Sequence, residues 1–555
     1  MVPAPHSTRS PAPDAARPRR LLRPAAGPWP GVAALGLVAA LLGACSGTGS
    51  QDAAYSRDDA RELFESAYGH VQAHYIDPVG MDTIALAGLN RLSVIDGRML
   101  VTSDAGGVSL LKEGAEVQRF ARPDPLDRAG WADITAVVVE RSRQVSPVSG
   151  ATPPDEIYTA LMEGMVRPLD PYSRYEDARK ASNQREARNG FGGIGVTIRS
   201  VDGQTTVIEA LQDTPAAAAG LAAGDILTHA DGTPLAGLTP LAVVEQLRGR
   251  VGTTVTLDVE KAATGASERV VLERVHIVPP TVVASLAHGV GVIRIRTFNQ
   301  RTAADLEDEV ERLEDLQGGR LAGLVLDLRD NPGGLLDQAV QSADLFLGDG
   351  PMISTRGRHA AANSVFAADS YQIAEGVPLA ILTNGRSASA SEMLAAALQD
   401  RGRAIVIGST SHGKGSVQNL QEMPNGGELI ITWSRMHAPS GYLLDGLGVL
   451  PNICTSASAA ASAAGQPPSA SVASLRADRD RMTRRFQDWR RYDRVDPGLA
   501  GTLRRTCPPS PGTPDSDLTL AAKVLLQPAA YALALSPGLR ASGTARAADG
   551  SHRRS

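Results

Sequence analysis

Two short stretches of this sequence hold residue types that could do covalent chemistry. In "NGRSASASEMLAAALQD" (Asn384–Asp400), Ser389, Glu392, Met393 and Ala396 recur at helical spacing, and Ser389-x-x-Glu392 has the form of a capping box. On the plainest reading Ser389 only caps that helix. A serine at a helix N-terminus is also placed for nucleophilic attack, because unpaired N–H groups and the positive end of the helix dipole favour a developing anion beside it. A serine nucleophile needs a base, and "GSTSHGKGSVQ" (Gly408–Gln418) offers Lys414. Free lysine titrates near 10.4, so a lysine base at neutral pH needs burial to lower its pKa by about three units. Gly413 and Gly415 would let the backbone bring the long side chain inward, and Ser–Lys pairs are a known variant of triad logic. The plain alternative is a solvated loop lysine. His412 is a fallback base; the other histidines are scattered without a triad-like arrangement.

Other chemistries fail on context. Gly408-x-x-x-x-Gly413-Lys414 approximates a phosphate-binding loop, but Gly415 stands where Ser or Thr must hold magnesium. Gly190-x-Gly192-x-x-Gly195 has the spacing of a dinucleotide fingerprint, yet an alternating strand pattern follows it and no helix. The net charge is −5 and only 4% of residues are aromatic, so a nucleic-acid footprint is absent. No nucleotide, metal or other cofactor is expected.

The elements that must position Ser389 and Lys414 lie in a chain of 555 residues, 43% hydrophobic, enough for roughly three to four domains. Residues 1–45 read as an export signal. A basic stretch with Arg9, Arg17, Arg19, Arg20 and Arg23 precedes the apolar "GVAALGLVAALLGA", too short to span a bilayer comfortably. It ends in Leu42-Gly43-Ala44-Cys45, which resembles a bacterial lipoprotein cleavage box with Cys45 as the lipid site; an ordinary secretory signal is the alternative. Cys454 and Cys507 then remain as an even pair in a compartment that permits disulfides, and a bridge between them is expected.

After a tether at 46–54, residues 55–189 read as mainly helical with a small β insertion over 98–120. Within it Thr152 is the expected N-cap, and Pro153 the first residue, of a helix over 155–166. Residues 190–275 closely resemble a PDZ domain. In that family a glycine-rich loop, here Gly192, Gly193, Ile194 and Gly195, presents N–H groups to a C-terminal carboxylate while the peptide adds as a strand. Residues 276–454 alternate buried strands with amphipathic helices, such as "TAADLEDEVERLEDL" with Leu306, Val310 and Leu313 on one face, and read as α/β. A low-complexity linker occupies 455–475. The tail, 476–555, reads as short helical patches without identifiable chemistry.

Taken together, "LDPYSRY", the PDZ unit, "GLVLDLRDNPGG", the Ser389 and Lys414 stretches and "APSGYLLDGLGVLPNI" resemble the carboxyl-terminal processing (tail-specific) serine peptidases, from about residue 55 to 455. The resemblance implies a crotonase/Clp-like α/β core with the PDZ domain inserted. It makes Ser389 the nucleophile, Lys414 the base and Gln418 the residue that holds the lysine. The oxyanion donors would be the N–H groups of Ala390 and of Gly333 or Gly334, with Glu392 supporting the nucleophile's helix. The expected partners are protein substrates with apolar C-termini and a membrane reached through lipidated Cys45; an oligomer or an activating partner stays open. Three positions depart from the family pattern, Tyr172, His412 and Asn452, and none of them is expected to touch the dyad. The competing class is a lipid-anchored PDZ scaffold with an inactive peptidase domain.

Overall fold

Runs of Val, Ile and Leu without polar breaks suit the inner strands of a parallel sheet, where both faces are covered. The computed structural model of the protein, which describes residues 55–456, 471–511 and 514–535, is built on such a sheet. The signal, Cys45 and the tether lie outside the described residues, as does most of the low-complexity stretch. Six strands run in the order Val282–Ala287, Val290–Ile295, Leu324–Asp327, Leu379–Thr383, Ala404–Gly408 and Ile453–Cys454. The first two are antiparallel and every later neighbour is parallel. Leu379–Thr383 and Ala404–Gly408 are buried at every position.

Helices Thr302–Gln317, Leu336–Asp344 and Ala390–Asp400 cover one face. Leu306, Val310 and Leu313 point into that core as their spacing predicts. The other face is covered by the tail. Helices Pro514–Leu525 and Pro528–Leu535 bury Ala521, Val524, Leu525 and Ala530 against Val325, Leu382, Ile405 and Ile407. The tail is therefore part of the core, and it holds four helices among the described residues, beginning with Val472–Trp489 and Pro497–Arg504. Among the described residues no single helix is long and apolar enough to cross a membrane.

A second, antiparallel sheet joins Ser364–Ala368, Gly350–Gly357, Glu428–His437 and Ser416–Glu422, and Arg174–Glu176 pairs with Glu428–Ile430 at its edge. Its Leu429 and Ile431 extend the core of the N-terminal helices, which centres on Phe64, Tyr68, Trp131 and Leu161. One helix of that region begins a residue later than expected, spanning Pro154–Val166 with Pro153 at the cap. Thr152 ends the preceding short helix Pro147–Ala151, and proline suits the first helical position because its missing N–H would be unsatisfied there anyway.

The PDZ unit is a separate core around Val207, Leu227, Val255 and Leu257. Phe191–Gly193 pairs antiparallel with Val275–Ile277, so both connections to the rest of the chain pass through one two-stranded ribbon.

Candidate active site

Ligand sites in open α/β sheets form beyond the carboxyl ends of the strands. Three consecutive parallel strands here end in the turns that carry the expected site residues: 328–334 after Leu324–Asp327, 384–389 after Leu379–Thr383, and 409–415 after Ala404–Gly408.

In the run Ser387-Ala388-Ser389-Ala390-Ser391 the three serines are not equivalent. Ser387 Oγ donates to Leu328 O at 2.8 Å and Ser391 Oγ donates to Asn331 O at 3.0 Å; both residues are fully buried. Ser389 is half-buried and caps helix Ala390–Asp400 with φ 57° and ψ −119°, a left-handed-side conformation that costs a non-glycine residue of order 1–3 kcal/mol. As the first helical residue, Ala390 has an N–H without an acceptor inside the helix. Gly333 lies directly against this turn. With φ 101°, it has no room for a side chain: a Cβ there would meet Ser389 Cβ at 2.8 Å and Ala390 N at 2.9 Å. The Gly333 N–H already donates to Asn331 Oδ1 at 2.8 Å.

Glu392 joins the turns. It is fully buried, and its carboxylate accepts from Ser389 N–H (2.8 Å), Ser411 Oγ (2.5 Å), Gly413 N–H (2.6 Å) and Lys414 N–H (2.8 Å). One carboxylate thus ties the serine turn to the lysine loop. Burial pushes the Glu392 carboxyl above its ordinary range, against these donors, which favour the ionised form.

Lys414 is half-buried, with Nζ 5.4 Å from the centre of the Tyr172 ring. Burial lowers its pKa and the Arg174 charge adds to this; Glu392 and Asp170 oppose. The "LDPYSRY" turn is thereby brought to the site. Asp170 accepts from Tyr172 N–H, Ser173 N–H and Thr432 Oγ1, holding Tyr172 over the lysine. Burial pushes the Tyr172 phenol up to about 12. His412 is exposed, its N–H donating to Ser387 O at 2.9 Å.

Among the described residues no hydrogen bond joins Lys414 Nζ to Ser389 Oγ or to Gln418. Gln418 Nε2 donates to Ser416 Oγ and Thr432 Oγ1, both at 3.1 Å, and its Oε1 is buried without a partner. Asn452 stands away from the turns. Its Oδ1 accepts from Gln399 Nε2 and Val406 N–H, and its Nδ2 donates to Ala534 O at 3.0 Å, a bond no carboxylate could make. Cys454 and Cys507 form a disulfide with Cα atoms 5.9 Å apart.

In the PDZ unit, strand Val196–Val201 is a sheet edge, and a cleft of about 280 Å³ lies between it and helix Pro240–Leu247. Gly193, Ile194 and Gly195 line the cleft with Ile198, Val244 and Leu247. Gly192 does not; it sits in the ribbon, where its carbonyl accepts from Gly249 N–H at 3.1 Å. Gly195 has φ 83° and a Cβ there would strike Thr214 at 2.3 Å, so the loop needs glycine.

The peptidase family S41 model matches residues 289–455, and the PDZ domain model matches residues 192–270. The chain is 38% identical over 294 residues to the carboxy-terminal-processing protease of Bartonella bacilliformis, covering 53% of this chain and 68% of that one. This chain belongs to peptidase family S41. It is a serine-type peptidase with an α/β core, a PDZ domain and a helical N-terminal region. A "Probable CtpA-like serine protease" of Staphylococcus aureus is 34% identical over 302 residues, 54% of this chain and 60% of that one. The photosystem II D1 C-terminal processing protease structure aligns with 71% of this chain and 92% of that one, at 24% identity and a TM-score of 0.36. The S41 match ends at residue 455, so the tail helices lie outside it.

Tyr172 was expected to stand clear of the dyad, and its ring over Lys414 Nζ corrects that, because the turn at 170–173 is tied to Thr432 beside the lysine loop. Glu392 as the hub of the site and the tail's part in the core went unread in the sequence. The Ser389-x-x-Glu392 spacing was the one signal for the first, but it describes only the local half of the contacts.

Proposed function

We propose that this chain is an endopeptidase of the cell envelope that captures protein C-terminal tails in its PDZ cleft and cuts peptide bonds with a Ser389–Lys414 dyad. The observation that carries the reading is the Glu392 carboxylate, which bonds the N–H of both Ser389 and Lys414 and so couples the two turns. The half-buried lysine, its pKa lowered by that burial, supports a neutral amine.

In this mechanism Ser389 Oγ attacks the peptide carbonyl and its proton passes to Lys414 Nζ. The oxyanion rests on the N–H groups of Ala390 and Gly334; Gly333 N–H is committed to Asn331. Lys414 then returns the proton to the leaving amine as the C–N bond breaks. Water attacks the acyl ester, again losing its proton to Lys414, and Ser389 leaves as the alcohol. The unpartnered Gln418 Oε1 is the acceptor available to orient the lysine, which requires Lys414 to swing from its place over Tyr172. The tail docks as a strand beside Val196–Val201, its carboxylate on the Gly193–Gly195 loop and its apolar side chains on Ile198, Val244 and Leu247. Cys45 is the lipid anchor on the periplasmic side of a bacterial membrane; this reading rests on the cleavage box alone.

The unjoined Ser389 and Lys414 favour one competing reading, a PDZ scaffold with an inactive peptidase domain. Cleavage of an unstable protein bearing an apolar or an acidic C-terminal tail separates the two. Wild type cuts the apolar-tailed protein, and Ser389→Ala and Lys414→Ala each lose at least ~10³-fold in rate. A wild type that binds the tail and never cuts it installs the scaffold, and a cutting Ser389→Ala variant removes Ser389 as nucleophile.

A further inference from the structure

One segment of the tail crosses all three turns of the site. Arg504, at the end of helix Pro497–Arg504, turns its guanidinium inward and donates to Leu447 O at 2.6 Å and to Ser411 O at 3.0 Å. Thr410 Oγ1 donates to Cys507 O at 2.5 Å, and Ser409 Oγ to Ser510 O at 3.0 Å. On the serine turn, Gly385 N–H donates to Ser510 O at 2.9 Å and Asn384 Nδ2 to Pro511 O at 2.9 Å. Beyond them, on helix Pro514–Leu525, Asp517 lies 3.7 Å from Arg329 of the glycine turn. The bridge from Cys507 to Cys454 pins this segment to the edge strand of the central sheet.

The lysine loop has particular need of such a hold. Glycines flank Lys414 on both sides, and glycine leaves a backbone free to sample many conformations. Glu392 fixes the N–H groups of Gly413 and Lys414. Their complement comes from the tail: Arg504 takes the carbonyl of Ser411. The same guanidinium holds Leu447 O in the neighbouring turn, whose Gly446 N–H donates to Gly413 O at 2.9 Å. The loop is thus gripped by an anion on its N–H side and a cation on its carbonyl side, and a Cβ on Gly413 would lie 2.9 Å from Arg504 Nη1. Arg504 and Cys507 both lie beyond the S41 match, which ends at residue 455, so this grip comes from residues outside it.

We infer that Arg504, kept in place by the Cys454–Cys507 bridge, is a positioning residue that fixes the Lys414 loop for catalysis. The inference rests on the Ser389–Lys414 reading above. It acts through the backbone of the loop, so it touches no substrate and leaves binding in the PDZ cleft alone.

The test uses the full chain and a peptide too short to engage the PDZ cleft. Arg504→Ala should lower kcat on the order of 100-fold, the scale expected when a catalytic group is misplaced by about 1 Å, with KM within about twofold. Free guanidinium at millimolar concentration should restore part of that rate, and Arg504→Lys should fall between wild type and Arg504→Ala. Wild-type kcat in Arg504→Ala overturns the inference, as does a loss that guanidinium does not relieve. If Arg504→Ala does not fold, the folded wild type is reduced instead. Its kcat should fall at constant KM and return on reoxidation, whereas an unchanged kcat after verified reduction overturns the role of the bridge. Ser389→Ala and Lys414→Ala run alongside. Activity in either one defeats the dyad reading itself, while their inactivity beside a fully active Arg504→Ala defeats only the present inference.

Discussion

On the proposed Ser389–Lys414 dyad, charge at the lysine sets the pH at which the site works. Lys414 loses its proton more readily than a free lysine because burial strips water from the ammonium and the Arg174 charge repels it, with Glu392 and Asp170 pulling the other way. On the proposed dyad the neutral amine is the form that accepts the serine proton, so activity should rise with pH as Lys414 deprotonates. Removing Arg174 removes a repelling cation and raises the Lys414 pKa. The limb of the kcat–pH profile in Arg174→Gln should therefore move to higher pH, leaving the variant slower than wild type near neutrality and equal to it in alkali. An unmoved limb, measured across pH 6 to 10 on a short peptide, removes Lys414 as the titrating base. Local chemistry only nominated Ser389 and Lys414, as a serine at a helix start and a lysine between two glycines; their roles came from the resemblance to the tail-specific peptidases. Glu392 could be read only as a cap, since three of its four donors come from the loop 409–415, remote in sequence. Tyr172 had no local sign at all, because Asp170 and Thr432 hold its turn over the lysine across more than 250 positions.

Strands and helices that bury a whole face announced themselves. "LAGLVLDL", "PLAILTN" and "AIVIGS" are apolar runs, and the inner strands are where they were expected. In the tail only short helical patches could be read, and the packing of Pro514–Leu525 and Pro528–Leu535 on the sheet gave no sign, because their contact residues are largely alanines, whose small surface makes a weak periodic signal. The PDZ unit was legible as a whole because its glycine loop, strands and short helix together resemble that family, and the structure shows that Gly195 is a position only glycine can take. Within that unit, the apolar cleft walls predict what the domain accepts. Val244 and Leu247 of helix Pro240–Leu247 face strand Val196–Val201 across the cleft. Val244→Arg places a charge where an apolar tail residue would be buried. Fluorescence anisotropy with a labelled apolar-tailed peptide should show at least tenfold weaker binding, or ~1.4 kcal/mol, while cleavage of a short tailless peptide stays at the wild-type rate. Equal loss of both would mean that Val244 supports the peptidase fold and does not read the tail.

Across the whole molecule, the central sheet is completed only by the last described residues. Helices Val472–Trp489 and Pro497–Arg504 send Phe486, Trp489 and Ala500 into the core on one face, and Pro514–Leu525 with Pro528–Leu535 close the other. Asn452 fastens this arrangement through Ala534 O, and Tyr531 Oη lies within hydrogen-bond reach of Leu379 O in the strand and of Arg403 O just before the next one, at 3.3 and 3.2 Å. A chain that stops at Ser456 retains every residue of the S41 and PDZ matches, yet it bares Val325, Leu382, Ile405 and Ile407, a contiguous apolar sheet face of the kind that drives association. It also loses the disulfide, whose 53-residue separation is worth about 4 kcal/mol on the chain-entropy account. The truncated chain should therefore aggregate on expression, and any soluble fraction should melt well below the full chain and without a sharp transition. Size-exclusion chromatography and calorimetry decide the matter: a monodisperse, cooperatively melting 55–456 fragment would show that the matched domains close their own core, and the tail would then be left with the grip on the catalytic turns as its only role.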